Sequence, residues 1–243
     1  MTSVKNRFKL CTFDVTNTLL KFRQPVGEQY AKVGLMYGVN RKPEKLTRSF
    51  MQHWKTMNAK YPNFGQSSGL KSELWWKQLV QQVFATDDEE LSSTELDSIS
   101  SHLFDLYKGG ACWTVVPEAK TILKRLRQNG LTLGVISNFD ERLDSVLLST
   151  GLKSFFDFIL ASYIVQVAKP SKDIFNLALN QVPGLKSYAA IHIGDNIELD
   201  YLAAKNSGWN ALLISDNKNS EEIHKVNPSD IIQDVTEIER HLL

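Results

Sequence analysis

The sequence predicts an α/β protein whose core is a doubly wound, mostly parallel, Rossmann-like sheet, interrupted near its start by a helical insertion. From Pro117 onward, helical stretches alternate with short apolar runs, which is typical of βα units with right-handed crossovers. Between residues 22 and 111 the pattern is helical, with apolar residues three and four positions apart. We therefore expect an α/β core formed by residues 1–21 and 112–243, and an α-helical domain formed by residues 22–111.

Composition limits the class of protein. The 243 residues exceed one average domain but fall short of two, which fits one main domain with a sizeable insertion. Hydrophobic residues make up 42% and charged residues 23%, as in a soluble globular protein. The net charge of +1 argues against a nucleic-acid or membrane-surface partner. Two cysteines, Cys11 and Cys112, do not support a disulfide framework.

Location and assembly follow from the same kind of observation. No signal peptide precedes the first predicted strand, and no apolar run approaches the roughly 18 residues of a membrane span. We expect a cytoplasmic protein, with nuclear access left open. No heptad repeat or large apolar stripe is present, so we expect a monomer.

The first strand ends in a carboxylate. The apolar run Phe8 to Phe13 is followed directly by Asp14. Open α/β sheets build their sites at the C-terminal ends of their strands. A carboxylate there can attack a phosphoryl group and divide one difficult displacement into two easier ones. A single Asp after a strand is more often a turn or N-cap residue. Whether Asp14 is a nucleophile therefore depends on which residues follow the other strands.

The insertion contains four predicted helices. Their ranges are 29–38, 45–60, 72–84 and 94–108, and Ser92 or Ser93 before Glu95 forms an N-cap signal. An aromatic cluster is more consistent with the core of this domain than with a substrate cleft, and it comprises Trp54, Tyr61, Phe64, Trp75 and Trp76. Candidate substrate-facing residues of the insertion are Arg23, His53, Lys55 and Trp76.

The second part of the chain supplies the remaining sheet. Predicted helices cover 118–128, 141–149, 173–180 and 199–206, with another starting at residue 235. Predicted strands cover 131–136, 156–161, 189–193 and 210–214, with a weak one at 230–232. Residues 215–229 are predicted to form a surface loop with a short helix.

Polar or charged residues also follow the second and third predicted strands of the chain. Ser137 and Asn138 offer a hydroxyl and backbone N–H groups that can hold a phosphate oxygen, although Asn138 with Glu141 also resembles a capping box. Lys169, before Pro170, can neutralise charge that builds up on a transferring group.

The fourth strand end carries the stretch GDNIELD. Its carboxylates, Asp195 and Asp200, suit a hard cation such as Mg²⁺, or they cap the helix that follows. His192, inside the preceding strand, is expected to pack within the sheet.

Taken in order, FDVTNTLL, VISN, AKP and IGDNIELD resemble the four motifs of the haloacid dehalogenase superfamily. The helical insertion between the first two motifs is similar to the cap domain of the helical-cap group. Within that group, YPNFGQSSGLKSELWW and SNFD resemble the subfamily of haloacid dehalogenase-like hydrolase domain-containing protein 3.

The resemblance implies roles for specific residues. Asp14 would be the nucleophile that forms an aspartyl-phosphate, Ser137 with Asn138 would bind the phosphoryl oxygens, and Lys169 would be the motif lysine. Mg²⁺ would be held by Asp14, by the backbone carbonyl of Thr16 and by Asp195, with Asp200 as a further ligand or as a support for the ligands. The substrate would be a small phosphorylated metabolite or another small molecule.

One position departs from the family. The phosphatases place a second Asp two residues after the nucleophile, and this chain has Thr16 there. A hydroxyl is too weak an acid for that role, and losing a positioned acid/base group costs roughly 10²–10⁴-fold in rate. Three alternatives stay open: a slow Mg²⁺-dependent phosphatase or phosphotransferase, a weakly active or inactive binding or regulatory protein, and a dehalogenase-type hydrolase. The metal-site pattern counts against the last. Asn17 replaces the usual Gly, and Asn tolerates left-handed backbone.

Overall fold

The computed structural model describes residues 7–85, 91–215 and 222–243. Their contacts divide them into two compact units. The core unit comprises the described parts of 1–21, 115–138 and 151–243, and the helical unit comprises 22–114 and 139–150. Eight strands are present in the described ranges: β1 Leu10–Phe13, β2 Leu20–Phe22, β3 Trp113–Val115, β4 Thr132–Ser137, β5 Phe158–Ala161, β6 Ala190–Gly194, β7 Asn210–Ile214 and β8 Ile231–Ile232.

Helices fill the connections. Those of the described ranges are α1 Val26–Met36, α2 Pro43–Lys60, α3 Ser72–Phe84, α4 Ser93–Leu106, α5 Ala119–Gln128, α6 Leu143–Ser149, α7 Ser162–Val165, α8 Lys172–Leu179, α9 Ala203–Asn206 and α10 Ile238–Leu242. A π-helical segment, Ile197–Leu202, leads directly into α9. None of these helices combines the length and the apolar content that a membrane span requires.

The core unit is built on one six-stranded sheet. Its strand order is β5-β4-β1-β6-β7-β8, and every neighbouring pair is parallel. This confirms the predicted α/β fold class. The chain places β4 and β5 on one side of β1 and β6 to β8 on the other, so the strand order reverses at β1. In open α/β sheets, ligands bind at such a switch point, beyond the C-terminal ends of the strands.

The apolar residues of the central strands hold this sheet together. All four residues of β1 are buried, as are all five of β6. Strands with both faces covered read as continuous apolar runs, which explains why β1 and β6 were recognisable in the sequence. The buried side of α8 packs into the same core through Ile174, Phe175 and Ala178.

The helical unit has the aromatic core that the sequence predicts. Trp54 lies 5.3 Å from both Trp75 and Trp76 between ring centroids, and Phe64 lies 5.4 Å from Trp75. Tyr61 contributes its backbone carbonyl, which accepts a hydrogen bond from the Trp75 indole at 3.0 Å. These rings therefore serve the packing of the unit itself.

The predicted start of α4 is also confirmed. Ser92 accepts a hydrogen bond from the backbone N–H of Glu95, and the Glu95 carboxylate accepts one from the backbone N–H of Ser92. This reciprocal capping box satisfies two backbone donors that the helix itself leaves without partners.

Residues 139–150 group with the helical unit, whereas the sequence assigned them to the 112–243 core. The reason is a buried cluster at the start of this segment. Arg142 forms an ion pair with Asp140, which also accepts a hydrogen bond from the Trp76 indole at 2.6 Å. The Arg142 guanidinium lies 4.6 Å from the Trp76 ring and 4.4 Å from the Phe104 ring. Two of the candidate substrate-facing residues thus form hydrogen bonds within the helical unit. Trp76 donates to Asp140, and Arg23 donates to the carbonyl of Trp113.

Several boundaries differ from the sequence expectations. The sequence did not predict β2 and β3, because three-residue strands are too short to show a period of two. Helix α6 begins at Leu143, two residues later than predicted, and α9 begins at Ala203 because the π-helical segment precedes it. The C-terminal helix begins at Ile238 after a 3₁₀ turn. Residues 216–221 of the predicted loop lie outside the described residues.

Candidate active site

Asp14 lies at the switch point of the sheet. Its backbone N–H donates to the carbonyl of Ile193 at 2.9 Å, so it continues the pairing of β1 with β6. The residue is 8% exposed. Its Oδ1 accepts a hydrogen bond from Lys169 at 2.7 Å, and among the described residues Oδ2 has no hydrogen-bond partner. One carboxylate oxygen is thus held in place while the other stays available.

Lys169 is the cation of the site. Its buried ammonium donates to Asp14, to Asp200 Oδ1 at 2.5 Å and to the carbonyl of Ile136 at 2.9 Å. These three partners use all three N–H bonds of the ammonium. Lys169 lies eight residues beyond β5, with α7 between them, so it belongs to a longer connection than the sequence suggested.

Asn138 fixes the backbone of that connection. Its side-chain amide donates to the carbonyl of Lys169 at 2.9 Å and accepts from the backbone N–H of Lys169 at 2.8 Å. The capping-box interpretation of Asn138 with Glu141 is therefore wrong: α6 begins later, and the Asn138 side chain points to Lys169 instead.

Ser137 is the last residue of β4 and is a buried residue, and within the described part of the chain its hydroxyl has no hydrogen-bond partner.

Asp200 is held from several directions. Its Oδ1 accepts from Lys169 and faces Nε2 of His192 at 3.2 Å, and its Oδ2 accepts from the backbone N–H of Asn196 at 2.9 Å. The π-helical turn that carries it includes the i+5 bond from Tyr201 N–H to the Asn196 carbonyl. Both oxygens of Asp200 are therefore occupied by protein donors, which favours a supporting role over direct ligation.

Asp195 and the turn after Asp14 complete the site. The Thr18 hydroxyl lies 3.5 Å from Asp195 Oδ1, and the side chain of Asn17 also bonds to Asp195. Asn17 adopts the left-handed conformation, with φ of 61°, as its replacement of Gly implied. Thr16 is half-buried in this turn.

His192 is the residue whose part in the network the sequence did not reveal. It lies within β6, as expected, but its two ring nitrogens contact Asp200 and the Thr12 hydroxyl, the latter at 2.8 Å. The signal was a histidine within the otherwise apolar strand sequence AAIHI. A single buried histidine does not show from sequence which groups face it.

Burial and charge oppose each other in this cluster. Burial raises the pKa of Asp14 to about 6, against the opposing charge of Lys169. For Asp200, burial favours the neutral form, but the charge of Lys169 and the hydrogen bond of His192 outweigh it, so its pKa lies below the usual range. Burial and the charge of Asp200 raise the pKa of Asp195.

The two basic groups respond differently. Burial alone would lower the pKa of Lys169, but Asp14 and Asp200 raise it overall. Burial lowers the pKa of His192, which therefore stays neutral near pH 7. The Lys169 ammonium is consequently the one positive charge within this group of five titratable side chains.

The cluster fits a divalent cation. Oxygen atoms of Asp14, Asp195 and Asp200 lie within 4.8 Å of one another. Three carboxylates and one ammonium leave two net negative charges in a largely buried space, which a divalent cation would neutralise. Carboxylate oxygens are also the donors that Mg²⁺ prefers.

Comparisons with known proteins agree with this geometry. The model of the haloacid dehalogenase-like hydrolase family matches residues 8–208. The chain is 39% identical to rhythmically expressed gene 2 protein of Drosophila melanogaster, over 86% of this chain and 84% of that protein. It is 33% identical to haloacid dehalogenase-like hydrolase domain-containing protein 3 of Danio rerio, over 95% and 94% of the two chains. The subfamily inferred from the sequence is therefore confirmed.

Solved structures share the fold at lower identity. A dehalogenase with an intermediate complex superimposes with a TM-score of 0.73 at 19% identity, covering 98% of each chain. A haloacid dehalogenase-family phosphatase from Thermococcus onnurineus gives a TM-score of 0.65 at 20% identity, covering 97% of this chain and 98% of that one. Since a dehalogenase and a phosphatase share this fold, the fold does not select the chemistry. The sequence comparisons do establish the family: this chain belongs to the haloacid dehalogenase-like hydrolases.

Proposed function

We propose that this hydrolase performs slow, Mg²⁺-dependent phosphoryl transfer through an aspartyl-phosphate on Asp14. The observation that carries the proposal is the state of the Asp14 carboxylate. Lys169 anchors one oxygen at 2.7 Å, and the other oxygen has no hydrogen-bond partner among the described residues. An oriented carboxylate with a free oxygen at the switch point of the sheet is what an attacking nucleophile requires.

The first chemical step uses the chain's own groups. Asp14 Oδ2 attacks the phosphorus, a new O–P bond forms, and the bond to the leaving oxygen breaks with its electron pair going to that oxygen. The Lys169 ammonium stabilises the negative charge on the transferring group while it keeps Asp14 in place. The Ser137 hydroxyl is free to donate to a phosphoryl oxygen, and Asn138 holds the backbone that carries Lys169.

Mg²⁺ would be bound by Asp14, by the backbone carbonyl of Thr16 and by Asp195, with Asp200 supporting them. When bound, it supplies charge neutralisation for the phosphoryl oxygens. The net charge of the carboxylate cluster supports this assignment, as does the fact that its oxygen atoms lie within 4.8 Å of one another.

Thr16 makes the second step slow. Hydrolysis of an aspartyl-phosphate needs a base to take a proton from the attacking water, and a threonine hydroxyl is not one at neutral pH. Leaving groups that depart without a proton are therefore favoured, and the phosphoenzyme accumulates. The same observation favours a second candidate function, a binding or regulatory protein that keeps the site without turnover.

A dehalogenase-type hydrolase is the third candidate and fits less well. Halide displacement by Asp14 would not need the acid/base group that Thr16 replaces. Halide displacement also does not require the carboxylates of Asp195 and Asp200, and the net negative charge of the cluster would repel an anionic haloacid. The solved dehalogenases support the shared fold and not this chemistry.

The remaining assignments belong to the same proposal. Residues 22–111, together with residues 139–150 that group with them, are the cap domain, and the rest of 1–21 and 112–243 is the core. The substrate is a small phosphorylated metabolite or another small molecule, and the enzyme acts as a cytoplasmic monomer.

Hydrolysis of p-nitrophenyl phosphate with and without Mg²⁺ tests the proposal. Nitrophenolate needs little protonation, so the assay isolates the nucleophile and the metal from Thr16. We expect Mg²⁺-dependent release that Asp14→Asn abolishes. The matched control is Asp173→Asn, which removes an exposed carboxylate from the same unit and should leave the rate unchanged. If the wild type releases no nitrophenolate even with Mg²⁺, the second candidate function, a binding or regulatory protein, is favoured instead.

A further inference from the structure

Strand register places two polar residues one layer beneath the site. Thr12 of β1 and His192 of β6 are direct partners in the parallel ladder. Because side chains on one face of a strand repeat every two residues, Thr12 lies on the same face as Asp14, and His192 on the same face as Gly194. Gly194 has no side chain, and the Asp200 carboxylate fills that place. The pair Thr12–His192 therefore underlies Asp14 and Asp200.

The hydrogen bonds fix the protonation of the imidazole. An ionised carboxylate only accepts hydrogen bonds, so His192 Nε2 carries a hydrogen and donates it to Asp200 Oδ1 at 3.2 Å. In the neutral ring, Nδ1 is then an acceptor, and the Thr12 hydroxyl donates to it at 2.8 Å. The edge-on contact with the Phe175 ring, 5.4 Å between centroids, restricts the ring further.

We propose that His192, fixed by Thr12, is a positioning residue that orients Asp200 and through it holds the Lys169 ammonium against Asp14. Its kinetic consequence rests on the proposed phosphoryl transfer. Oδ1 of Asp200 is shared between His192 and Lys169, so the direction of this carboxylate decides where Lys169 is held. Without His192, the donors to Asp200 that remain among the described residues are the Asn196 backbone and Lys169 itself. The Lys169 ammonium then loses the fixed acceptor opposite Asp14.

Three variants separate hydrogen bonding from packing. His192→Gln keeps an N–H donor that can reach Asp200, His192→Leu fills similar space without one, and Thr12→Val removes the hydroxyl that fixes the ring. Each variant is first compared with the wild type by thermal unfolding. If His192→Leu does not fold, the comparison of His192→Gln with Thr12→Val decides, because Thr12→Val frees the imidazole and His192→Gln retains the donor.

The first readout does not depend on activity. Buried ammonium protons exchange slowly, so the ¹⁵N NMR signal of Lys169 Nζ can be followed in the full-length protein. We expect this signal to broaden or disappear in His192→Leu, to weaken in Thr12→Val and to persist in His192→Gln. A signal that is the same in all four proteins would overturn the proposal.

The second readout is the rate at which p-nitrophenyl phosphate phosphorylates Asp14 with Mg²⁺. Residues behind the primary groups of such sites typically contribute 10–100-fold, so we expect the rate constant of the initial nitrophenolate release to fall about 10–100-fold in His192→Leu, with little change in the substrate concentration that half-saturates it. His192→Gln should recover most of the loss. Equal losses in His192→Gln and His192→Leu would show that only packing matters, which overturns the proposal.

The two readouts keep the two proposals apart. A wild type that is inactive while its Lys169 signal still depends on the His192 donor would refute phosphoryl transfer and retain the positioning role. An active wild type whose Lys169 signal and initial nitrophenolate release are both unchanged in His192→Leu would refute the positioning role and retain phosphoryl transfer.

Discussion

Gly194 and Asp200 are packed so closely that a Cβ on Gly194 would lie 2.2 Å from the Cγ of Asp200. Real Cβ atoms do not approach a neighbouring carbon this closely, so any other residue at position 194 displaces Asp200. Gly194 ends β6 next to Asp14, where the missing side chain lets the Asp200 carboxylate reach Lys169. Glycine is required here for space.

Gly194→Ala should therefore disable the site. The added methyl group pushes Asp200 away from Lys169, and overpacking of this kind typically costs about 1–3 kcal/mol of folding free energy. We expect loss of Mg²⁺-dependent phosphorylation together with a lower free energy of unfolding, measured by urea denaturation. Gly109→Ala is the matched control, because a Cβ there meets only one atom, at 3.9 Å. An active Gly194→Ala protein of unchanged stability would contradict this account.

Lys169→Met should destabilise the protein in a pH-dependent way. Removing one partner of a buried ion pair typically costs about 3–5 kcal/mol, since a buried charge is left uncompensated. The pKa of Asp14 is already raised to about 6 and rises further without Lys169. At a pH between the ordinary pKa of an Asp and the raised pKa of Asp14 in the folded protein, the native state binds one more proton than the unfolded state. The free energy of unfolding therefore falls as pH rises through this range.

The loss in Lys169→Met should accordingly be larger at pH 8 than at pH 5. Urea denaturation at both pH values measures it, and exposed Lys172→Met serves as the control with no such difference. A loss that is equal at the two pH values would show that Asp14 does not take up the proton.

Mg²⁺ binding should weaken below about pH 6. Burial raises the pKa of Asp14 to about 6, so at lower pH a proton must leave before the carboxylate can bind the ion. We expect the affinity to fall by up to about tenfold per pH unit below that value, with proton release that calorimetry in two buffers can count. Asp14→Asn should weaken binding most above pH 6, and by less at lower pH where the wild-type carboxyl is already protonated, and it should remove the Asp14 proton release. Proton release that is the same in the wild type and in Asp14→Asn would refute the assignment.

Much of the fold could be predicted from sequence because its signals are local. The apolar runs of β1 and β6 and the helical spacing of α2 and α3 are each visible within a dozen residues. The three-residue strands β2 and β3 were missed, because their pairing joins segments about ninety residues apart and leaves no local period.

The sequence predicted which residues form the candidate site, but it did not predict which of them contact one another. The position of Asp14 after β1, and of Asp195 after β6, follows from the rule that sites lie at strand ends. The contact of His192 with Thr12 depends on the register between β1 and β6, and the contact of Asn138 with the Lys169 backbone spans two connections. Neither leaves a trace in the spacing of residues.

The buried pair in the helical unit gives a prediction independent of catalysis. Asp140 is fully buried and accepts from Arg142 and from the Trp76 indole. Asp140→Asn removes the carboxylate that pairs with the buried Arg142 guanidinium, and we expect a loss of about 3–5 kcal/mol in the free energy of unfolding. Tryptophan fluorescence can follow it, because Trp209 is the only one of the five tryptophans outside this unit.

A matched control and a second variant complete that test. Asp105→Asn breaks an exposed pair with Lys108 and should cost less than about 1 kcal/mol. The double variant Asp140→Leu with Arg142→Met removes both charges and should recover part of the loss, since no charge is then buried alone. A double variant less stable than Asp140→Asn would show that packing around Arg142 outweighs its charge.

Thr16→Asp should convert a slow site into a faster one. Thr16 is two residues beyond Asp14, in a turn closed by the bond from Asn17 N–H to the Leu20 carbonyl at 2.7 Å. A carboxylate there can protonate the leaving oxygen and then take a proton from water, a contribution of roughly 10²–10⁴-fold. We expect the largest gain with alkyl phosphates and a smaller one with p-nitrophenyl phosphate, whose leaving group needs little protonation.

The time course distinguishes this from a general improvement in binding. In the wild type, nitrophenolate should appear in a burst of one equivalent per Asp14, followed by slow turnover, because hydrolysis of the phosphoenzyme is the step that lacks a base. Thr16→Asp should shorten or remove the burst, and Thr16→Asn, which adds a side chain of the same size without the carboxylate, should not. If Thr16→Asp leaves the slow phase unchanged, the limiting step lies elsewhere, and the free oxygen of Asp14 would then serve binding rather than turnover.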